Sequence, residues 1–298
     1  MLQIVITGTQ KIKRPTGLRQ QTSTIPQSTT KLQMTNYQIA IPSYKRPHIV
    51  TTQTLQTLKN LGNDLSNVTI FTANAEQTTE YKIVVEAVNL DVNIVTAVPG
   101  LLAARRWYNK EFYAPDTRIL NLDDDVASLW VKKDENKLAP FEGSFDDMVE
   151  DAFEVCEESG ARLWGINAAL NGLFLKNTTT IGLRYVCGIF HGSYAGDDSV
   201  CGDDRVIQSS GEDFETTLRS FVKYGKVVRL DGIAPKTKYF AQGGIQAEVG
   251  GKEERNAHHA EQLKRIASLY PDLTRIYEKA GGVTNIRLKT VTEKKIDW

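Results

Sequence analysis

Cysteine is scarce in this chain: three residues in 298, Cys156, Cys187 and Cys201, with no C-x-x-C spacing. That odd, scattered set builds neither a disulfide framework nor a cysteine-based zinc site, and it suits a reducing cytosol. Excess charge is also missing. Lys+Arg and Asp+Glu are both 36, for a net charge of zero. A general role in coating nucleic acid is therefore disfavoured, although a local basic groove is compatible with the balance. No apolar run approaches the ~20 residues of a membrane span, and the opening Met1-Leu2-Gln3-Ile4-Val5-Ile6-Thr7 is too short for the core of a secretory signal. No membrane and no obligate protein partner is expected. What is present, 41% hydrophobic and 24% charged residues, is ordinary for a globular protein. The length allows one large α/β domain or two small ones.

Residues 1–33 are dominated by Thr, Gln, Ser and Lys without a sustained period, and read as a poorly ordered extension. Residues 34–298 read as a single domain, and Met34 stands as a true or alternative start. Short apolar runs at Tyr37–Pro42, Asn67–Thr72, Val92–Thr96 and Arg118–Leu122 read as strands. Helical patterns separate them at His48–Leu61, Glu76–Val88 and Leu101–Phe112, the second with Tyr81, Val84, Val85 and Val88 on one face. This alternation predicts βαβ units and a mixed, mainly parallel sheet with helices on both faces.

The second half is less regular. Ala127–Lys133 reads as a strand. Ser144 caps a helix that Gly160 ends, with Met148, Val149, Ala152, Phe153 and Cys156 as its buried stripe. Strands are expected at Ala161–Ala168, Gly172–Lys176, Leu183–Phe190 and Lys226–Leu230. A helix is expected from Gly211 to Lys223, and a further one at Glu253–Leu269, resuming after Pro271 as Leu273–Lys279. Glycines at Gly243-Gly244 and Gly250-Gly251 bracket a segment that reads as a lid.

The chemistry concentrates at Asp123-Asp124-Asp125, where the strand at Arg118–Leu122 ends. Three adjacent carboxylates repel one another, and burial sharpens the cost, so a compensating cation is implied. Mg²⁺ and Mn²⁺ favour oxygen ligands and share carboxylates with substrate phosphates. In open α/β sheets ligands collect at the carboxyl ends of strands, where this run falls. A solvated acidic turn is the bland alternative.

Several motifs line up in one order: Pro42-Ser43-Tyr44-Lys45-Arg46-Pro47 after the first strand, Gly100-Leu101-Leu102-Ala103-Ala104-Arg105, the aspartates, then Gly211-Glu212-Asp213 at a helix start. In that order they resemble the GT-A-fold glycosyltransferases over residues 37–245. A narrower resemblance is to the phage glycosyltransferases found beside TET-like DNA dioxygenases, carried also by Leu163-Trp164-Gly165-Ile166-Asn167 and the stretch 239–244. The resemblance implies a Rossmann-like fold and a nucleotide-sugar donor, UDP-linked by preference. It implies Mn²⁺ or Mg²⁺, and DNA with a hydroxymethylated pyrimidine, 5-hydroxymethylcytosine, as acceptor in a phage-infected host cytoplasm. Two departures stand out: Arg106 replaces the Asn that usually follows the helix Arg, and the region 236–242 lacks the expected metal-binding His. His258 and His259 follow later.

On this reading Pro42, Ser43, Tyr44 and Arg46 hold base, ribose or phosphate. Arg105 pairs with donor phosphate. Asp123 contacts ribose or sugar and shares the metal with Asp125, and Asp124 completes the donor set while pointing elsewhere. Asp213 is the first choice of general base and Glu212 the second, although a helix N-terminus lowers carboxylate basicity. Trp164, Asn167 and His191 sit on the acceptor side, with core packing the alternative for Trp164. Asp197, Asp198, Asp203 and Asp204 form an acidic loop. Arg287, Lys289, Lys294 and Lys295 form a basic run suited to phosphates or to water. A polysaccharide or protein acceptor, nucleotidyl transfer and a non-catalytic sugar-nucleotide or DNA-binding module remain open.

Overall fold

The computed structural model describes residues 36–134, 137–201, 211–237, 252–279 and 282–297. The predicted extension at 1–33 lies outside them, as do Asp203, Asp204, residues 239–244 and the glycine-bracketed segment. Thr35–Trp298 forms one compact unit.

The first strand shows why the chain builds a two-faced sheet. Within β1 (Gln38–Pro42), side chains alternate between faces. Ile39 and Ile41 enter a core with Val50, Leu55, Tyr81 and Phe153, whereas Ala40 joins Phe71, Tyr108 and Ile119 in a different one. Helices cover both faces because both are apolar. The 47–60 helix passes through a π-helical turn at Thr51–Leu55, and a second π turn, Tyr108–Phe112, extends the Leu101–Trp107 helix. Between them lies the Ala75–Ala87 helix, capped where Asn74 accepts from the Gln77 amide at 2.9 Å.

Strands β2 (Val68–Thr72), β3 (Asn93–Thr96) and β4 (Arg118–Leu122) complete the first half. The main sheet adds β7 (Trp164–Ile166), β8 (Thr178–Leu183), β9 (Phe190–Tyr194), β10 (Val227–Leu230) and β14 (Val291–Asp297). Its order is β14-β8-β10-β7-β9-β4-β1-β2-β3 among the described residues. Strands β1, β2, β3 and β4 are mutually parallel, and β9 is antiparallel to both β4 and β7. With β10 parallel to β7, the carboxyl ends of β1–β4, β7 and β10 share one edge. This is the mixed, mainly parallel sheet flanked by helices that the alternation predicts. A three-stranded sheet of β5 (Val126–Asp134), β6 (Lys137–Pro140) and β11 (Ile233–Thr237) stands beside it, and β12 (Thr274–Lys279) pairs with β13 (Val283–Leu288).

The Phe145–Ser159 helix forms as expected. Ser144 accepts from the Asp147 amide at 3.2 Å, Gly160 takes the left-handed conformation at φ 76°, and all five predicted stripe residues are buried. Four expectations need correction. Gly172–Lys176 forms a turn, closed by Asn171, which accepts from Leu173 N and Phe174 N. The strand expected at Leu183–Phe190 begins earlier, as β8, and 184–189 is an irregular loop. Thr274–Lys279 is a strand, because after Pro271 its alternating residues pair with β13. Val88 is 49% exposed, since the Ala75–Ala87 helix ends before its last turn returns to the core. Among the described residues no helix is long and apolar enough to cross a membrane.

Candidate active site

The turn after β4 is fastened from beneath. The Thr54 hydroxyl donates to the Asp123 carbonyl at 2.8 Å and accepts from the Val126 amide at 3.0 Å, so one side chain clamps both ends of the aspartate run. The Asp123 amide donates to the Ile189 carbonyl at 3.0 Å. The three carboxylates then diverge, as neighbouring residues must.

Asp124 turns inward and is buried. Its Oδ2 accepts from Ser43 Oγ at 2.6 Å and its Oδ1 from Arg46 Nη1 at 3.1 Å. The chain of donors continues backwards: Tyr81 OH lies 2.7 Å from Ser43 Oγ and accepts from the Arg46 amide at 2.9 Å. Asp124 therefore shapes the loop after β1. Pro42 ends that strand, buried, and Tyr44 lies at the partly exposed loop surface with Lys45 Nζ 5.1 Å from its ring centre. Lys45 holds a left-handed backbone, φ 55°, pinned where its amide donates to Gln77 Oε1 at 3.1 Å. Non-glycine residues held there cluster at functional sites.

Asp125 approaches Arg46 at 3.8 Å. Burial, then the adjacent Asp124 charge, pushes its carboxyl up to about 6. Asp123 takes the opposite side. Its Oδ1 accepts from Arg105 Nη2 at 3.0 Å, and Arg105 Nη1 donates to Glu212 Oε1 at 3.1 Å. One guanidinium thus ties the strand-end aspartates to the start of the Glu212–Tyr224 helix. Burial raises Asp123 to about 7 against the pull of Arg105, even though 32% of its side chain stays exposed. Burial opposes charge on Arg105 as well, but the surrounding carboxylates outweigh it and hold the guanidinium above its usual range.

Gly211, at φ 85°, opens that helix. Asp213 accepts from the Tyr185 hydroxyl and from the Phe214 amide at 2.9 Å. These bonds favour its ionised form, yet burial prevails and raises it; burial and the Asp213 charge raise Glu212 too. The helix-dipole lowering expected from sequence is therefore overcome by desolvation. The Gly188 carbonyl accepts from Arg105 Nη2 at 2.9 Å, and a Cβ at Gly188 would sit 3.0 Å from Arg105 Nη1 and 3.2 Å from Glu212 Oε1. A side chain there would crowd this bridge, and both partners would have to shift. Behind it lies a cavity of about 40 Å³ lined by Arg105, Asn109, Asn121 and His191. Arg105 Nε and Asn109 Oδ1 are buried without a hydrogen-bond partner among the described residues, polar atoms that ordered water would satisfy.

Among solved structures, the chain is similar to TarS 1–349 of S. aureus: TM-score 0.44, 12% identity, 80% of this chain and 73% of that one covered. It is also similar to glucosyl-3-phosphoglycerate synthase from Mycobacterium tuberculosis with UDP: TM-score 0.48, 9% identity, 87% of this chain and 90% of that one covered. For the same synthase with Mn²⁺, UDP-glucose and phosphoglyceric acid the TM-score is 0.45 at 10% identity, covering 88% and 89%. No family model and no curated protein sequence matches.

The geometry of the site suits a hard divalent cation. Four carboxylates, Asp123, Asp124, Asp125 and Glu212, pair with two guanidinium groups, Arg46 and Arg105, and Asp213 adds a fifth negative group beside Glu212. Among the described residues no three His, Cys, Asp or Glu side chains are grouped to hold a metal on their own. An ion held by these carboxylates would complete its shell with substrate phosphate and water, as Mg²⁺ and Mn²⁺ do. His259 is partly buried, and burial lowers it while the Asp213 charge raises it.

Three further sequence candidates are placed as follows. Trp164 is a fully buried core ring, edge-on to Phe153 at 5.4 Å. His191 sits on β9, buried, with Nδ1 3.2 Å from the Gly188 carbonyl; burial and Arg105 push it down to about 3. Asp197 is a buried structural carboxylate, bonded to Tyr224 OH at 2.8 Å and Lys223 Nζ at 3.2 Å, so it neither repels nor recruits a ligand. Sequence reasoning missed Tyr185, Gly188 and Thr54. Tyr81 was visible only as an inner-face residue. Tyr185 and Gly188 were hidden by the misassigned strand, and a threonine clamp within a helix carries no sequence signal.

Proposed function

We propose that this chain is a metal-dependent glycosyltransferase that moves a sugar from a nucleotide-sugar, UDP-linked by preference, to the hydroxyl of 5-hydroxymethylcytosine in DNA. The observation that carries the reaction class is the Arg105 bridge. It brings strand-end carboxylates suited to a metal and diphosphate within one side chain of a buried acidic pair suited to take a proton. The acceptor is supported by the resemblance carried on the Pro42–Pro47 loop, Leu163–Asn167 and Gly211–Asp213.

Asp125, with Asp123, would hold the cation, which when bound supplies Lewis-acid stabilisation of the leaving diphosphate. Ser43, Tyr44 and Arg46 line the loop that receives base and ribose, and Asp124 fixes that loop. Asp213 takes the acceptor hydroxyl proton. The freed oxygen attacks the anomeric carbon as the bond from that carbon to the phosphate oxygen breaks, and its electron pair leaves with the nucleoside diphosphate. Burial makes this carboxylate a stronger base than a solvated helix-start aspartate. Glu212, hydrogen-bonded to Arg105, supports the pair electrostatically.

The test is mass spectrometry of nucleosides from hydroxymethylcytosine-containing DNA incubated with the protein, Mn²⁺ and a panel of nucleotide-sugars. A gain of one sugar, absent in Asp125→Ala, is expected. Donor hydrolysis without DNA modification would move the acceptor to a glycan or protein. Neither hydrolysis nor modification would leave a binding module.

A further inference from the structure

The carboxyl edge of the sheet carries a second polar cleft, of about 430 Å³, beyond β7 and β10. Four cations line it: Lys176, Arg184, Arg229 and Lys295. Its one lining carboxylate, Asp231, is already engaged, accepting from Arg229 Nε at 2.5 Å and from the Thr180 hydroxyl. Register explains the gathering. Arg229 aligns with Thr180, and Thr180 with Lys295, so β10, β8 and β14 place them in one row across the sheet. The Arg184 guanidinium bonds the Leu183 carbonyl at 3.0 Å and the Thr292 hydroxyl at 2.6 Å, both neutral groups. Lys176 and Lys295 are exposed and have no carboxylate partner among the described residues. Burial, then the Arg229 charge, holds Arg184 below the usual guanidinium range, which fits cations crowded beyond what one carboxylate offsets.

At the rim of the same cleft, Leu173 and Phe174 are 65% and 61% exposed. Cations alone would serve any polyanion. An exposed phenyl ring beside them suits phosphates together with an unstacked base, and an acidic peptide would leave the ring without a role. Tyr185 connects the cleft to the acidic pair. β4 and β10 are three strand spacings apart, about 14 Å. Tyr185 spans part of that gap, its carbonyl accepting from Arg229 Nη1 at 3.5 Å and its hydroxyl donating to Asp213.

We propose that this cleft binds a single-stranded or locally unpaired nucleic acid, with phosphates on Lys176, Arg184 and Lys295 and a base on Phe174, and so holds the acceptor strand. It rests on the acceptor reading above for the reaction that the bound strand undergoes.

The experiment is a fluorescence-anisotropy titration of the full chain with a short, unmodified, fluorescein-labelled deoxyoligonucleotide at several salt concentrations. Donor hydrolysis is measured in the same preparations. Three phosphate contacts predict a slope of log affinity against log salt of about −2. The double substitution Lys176→Glu/Lys295→Glu is expected to weaken binding about tenfold or more and flatten that slope. Phe174→Ala is expected to weaken binding about tenfold with the slope unchanged. All three residues are exposed, and circular dichroism checks that the variants fold. Absence of binding, binding unchanged in both variants, or displacement by polyglutamate as effective as by a second oligonucleotide overturns the cleft. Hydrolysis without strand binding sinks the cleft alone, whereas strand binding without hydrolysis sinks the glycosyltransferase reading alone.

Discussion

Arg105 and Glu212, 107 residues apart in the chain, meet at 3.1 Å. The same guanidinium holds Asp123 at 3.0 Å and is itself 11% exposed. Removing it strands two carboxylates in a buried setting. Arg105→Ala is expected to cost about 3–5 kcal/mol of stability, measured by urea denaturation. Adding Asp123→Asn to that variant should restore part of the loss. Full additivity of the two substitutions would show that the pair is not coupled.

Asp213→Asn is expected to lower sugar transfer by about 10²–10⁴-fold with donor affinity unchanged, because it would remove the proposed proton acceptor and leave the proposed donor contacts in place. Glu212→Gln should cost less, since an amide still accepts from Arg105. Single-turnover rates with calorimetric donor binding make the comparison, and the reverse ranking would transfer the role of base to Glu212.

Tyr185 donates its hydroxyl to Asp213, and on the proposed mechanism it acts as a positioning residue. In Tyr185→Phe the carboxylate loses a donor that favours its ionised form, so its pKa rises further. The acidic limb of the pH–rate profile should move to higher pH and kcat should fall, with KM for the donor unchanged. A profile that scales down without shifting would make Tyr185 a packing residue only.

Asp125 gives a pH signature. Its folded carboxyl is raised to about 6, above its unfolded value, so the folded state binds more protons between those two values. Stability from this group is full below its unfolded pKa and is lost as pH rises through about 6. Without metal, Asp125→Asn should gain on wild type between about pH 4 and pH 6 and hold a constant advantage above that. Mn²⁺ should erase the advantage by stabilising only the wild type. Denaturant midpoints across pH, with and without Mn²⁺, report both effects, and a pH-independent gap would contradict them.

Gly192 touches the Trp164 ring so closely that a Cβ would fall 1.8 Å from Nε1 and 2.2 Å from Cε2. With Trp164 fully buried between Phe153 and Phe190, the ring cannot retreat. Gly192→Ala is therefore expected to destabilise by at least about 1–3 kcal/mol, read by thermal unfolding. An unchanged midpoint would show that this core can rearrange.

The sequence determined the local pieces on its own. The short apolar run at Tyr37–Pro42 reads as a strand, and Ser144 and Gly160 mark the ends of one helix, because such runs and caps act between near neighbours. The aspartate run pointed by charge repulsion to a compensating cation, with a solvated acidic turn as the alternative. The long-range pairings had no such local signal. That Ser43 and Arg46 converge on Asp124 with Tyr81 behind them, that Arg105 selects Asp123 and Glu212, and that Lys295 aligns with Thr180 and Arg229 follow from strand order and register. The alternating residues after Pro271 became strand because β13 was there to pair with them. Burial, too, is a tertiary property: it raised the Glu212–Asp213 pair against the helix dipole, since removal from water outweighs a dipole confined to the first turn.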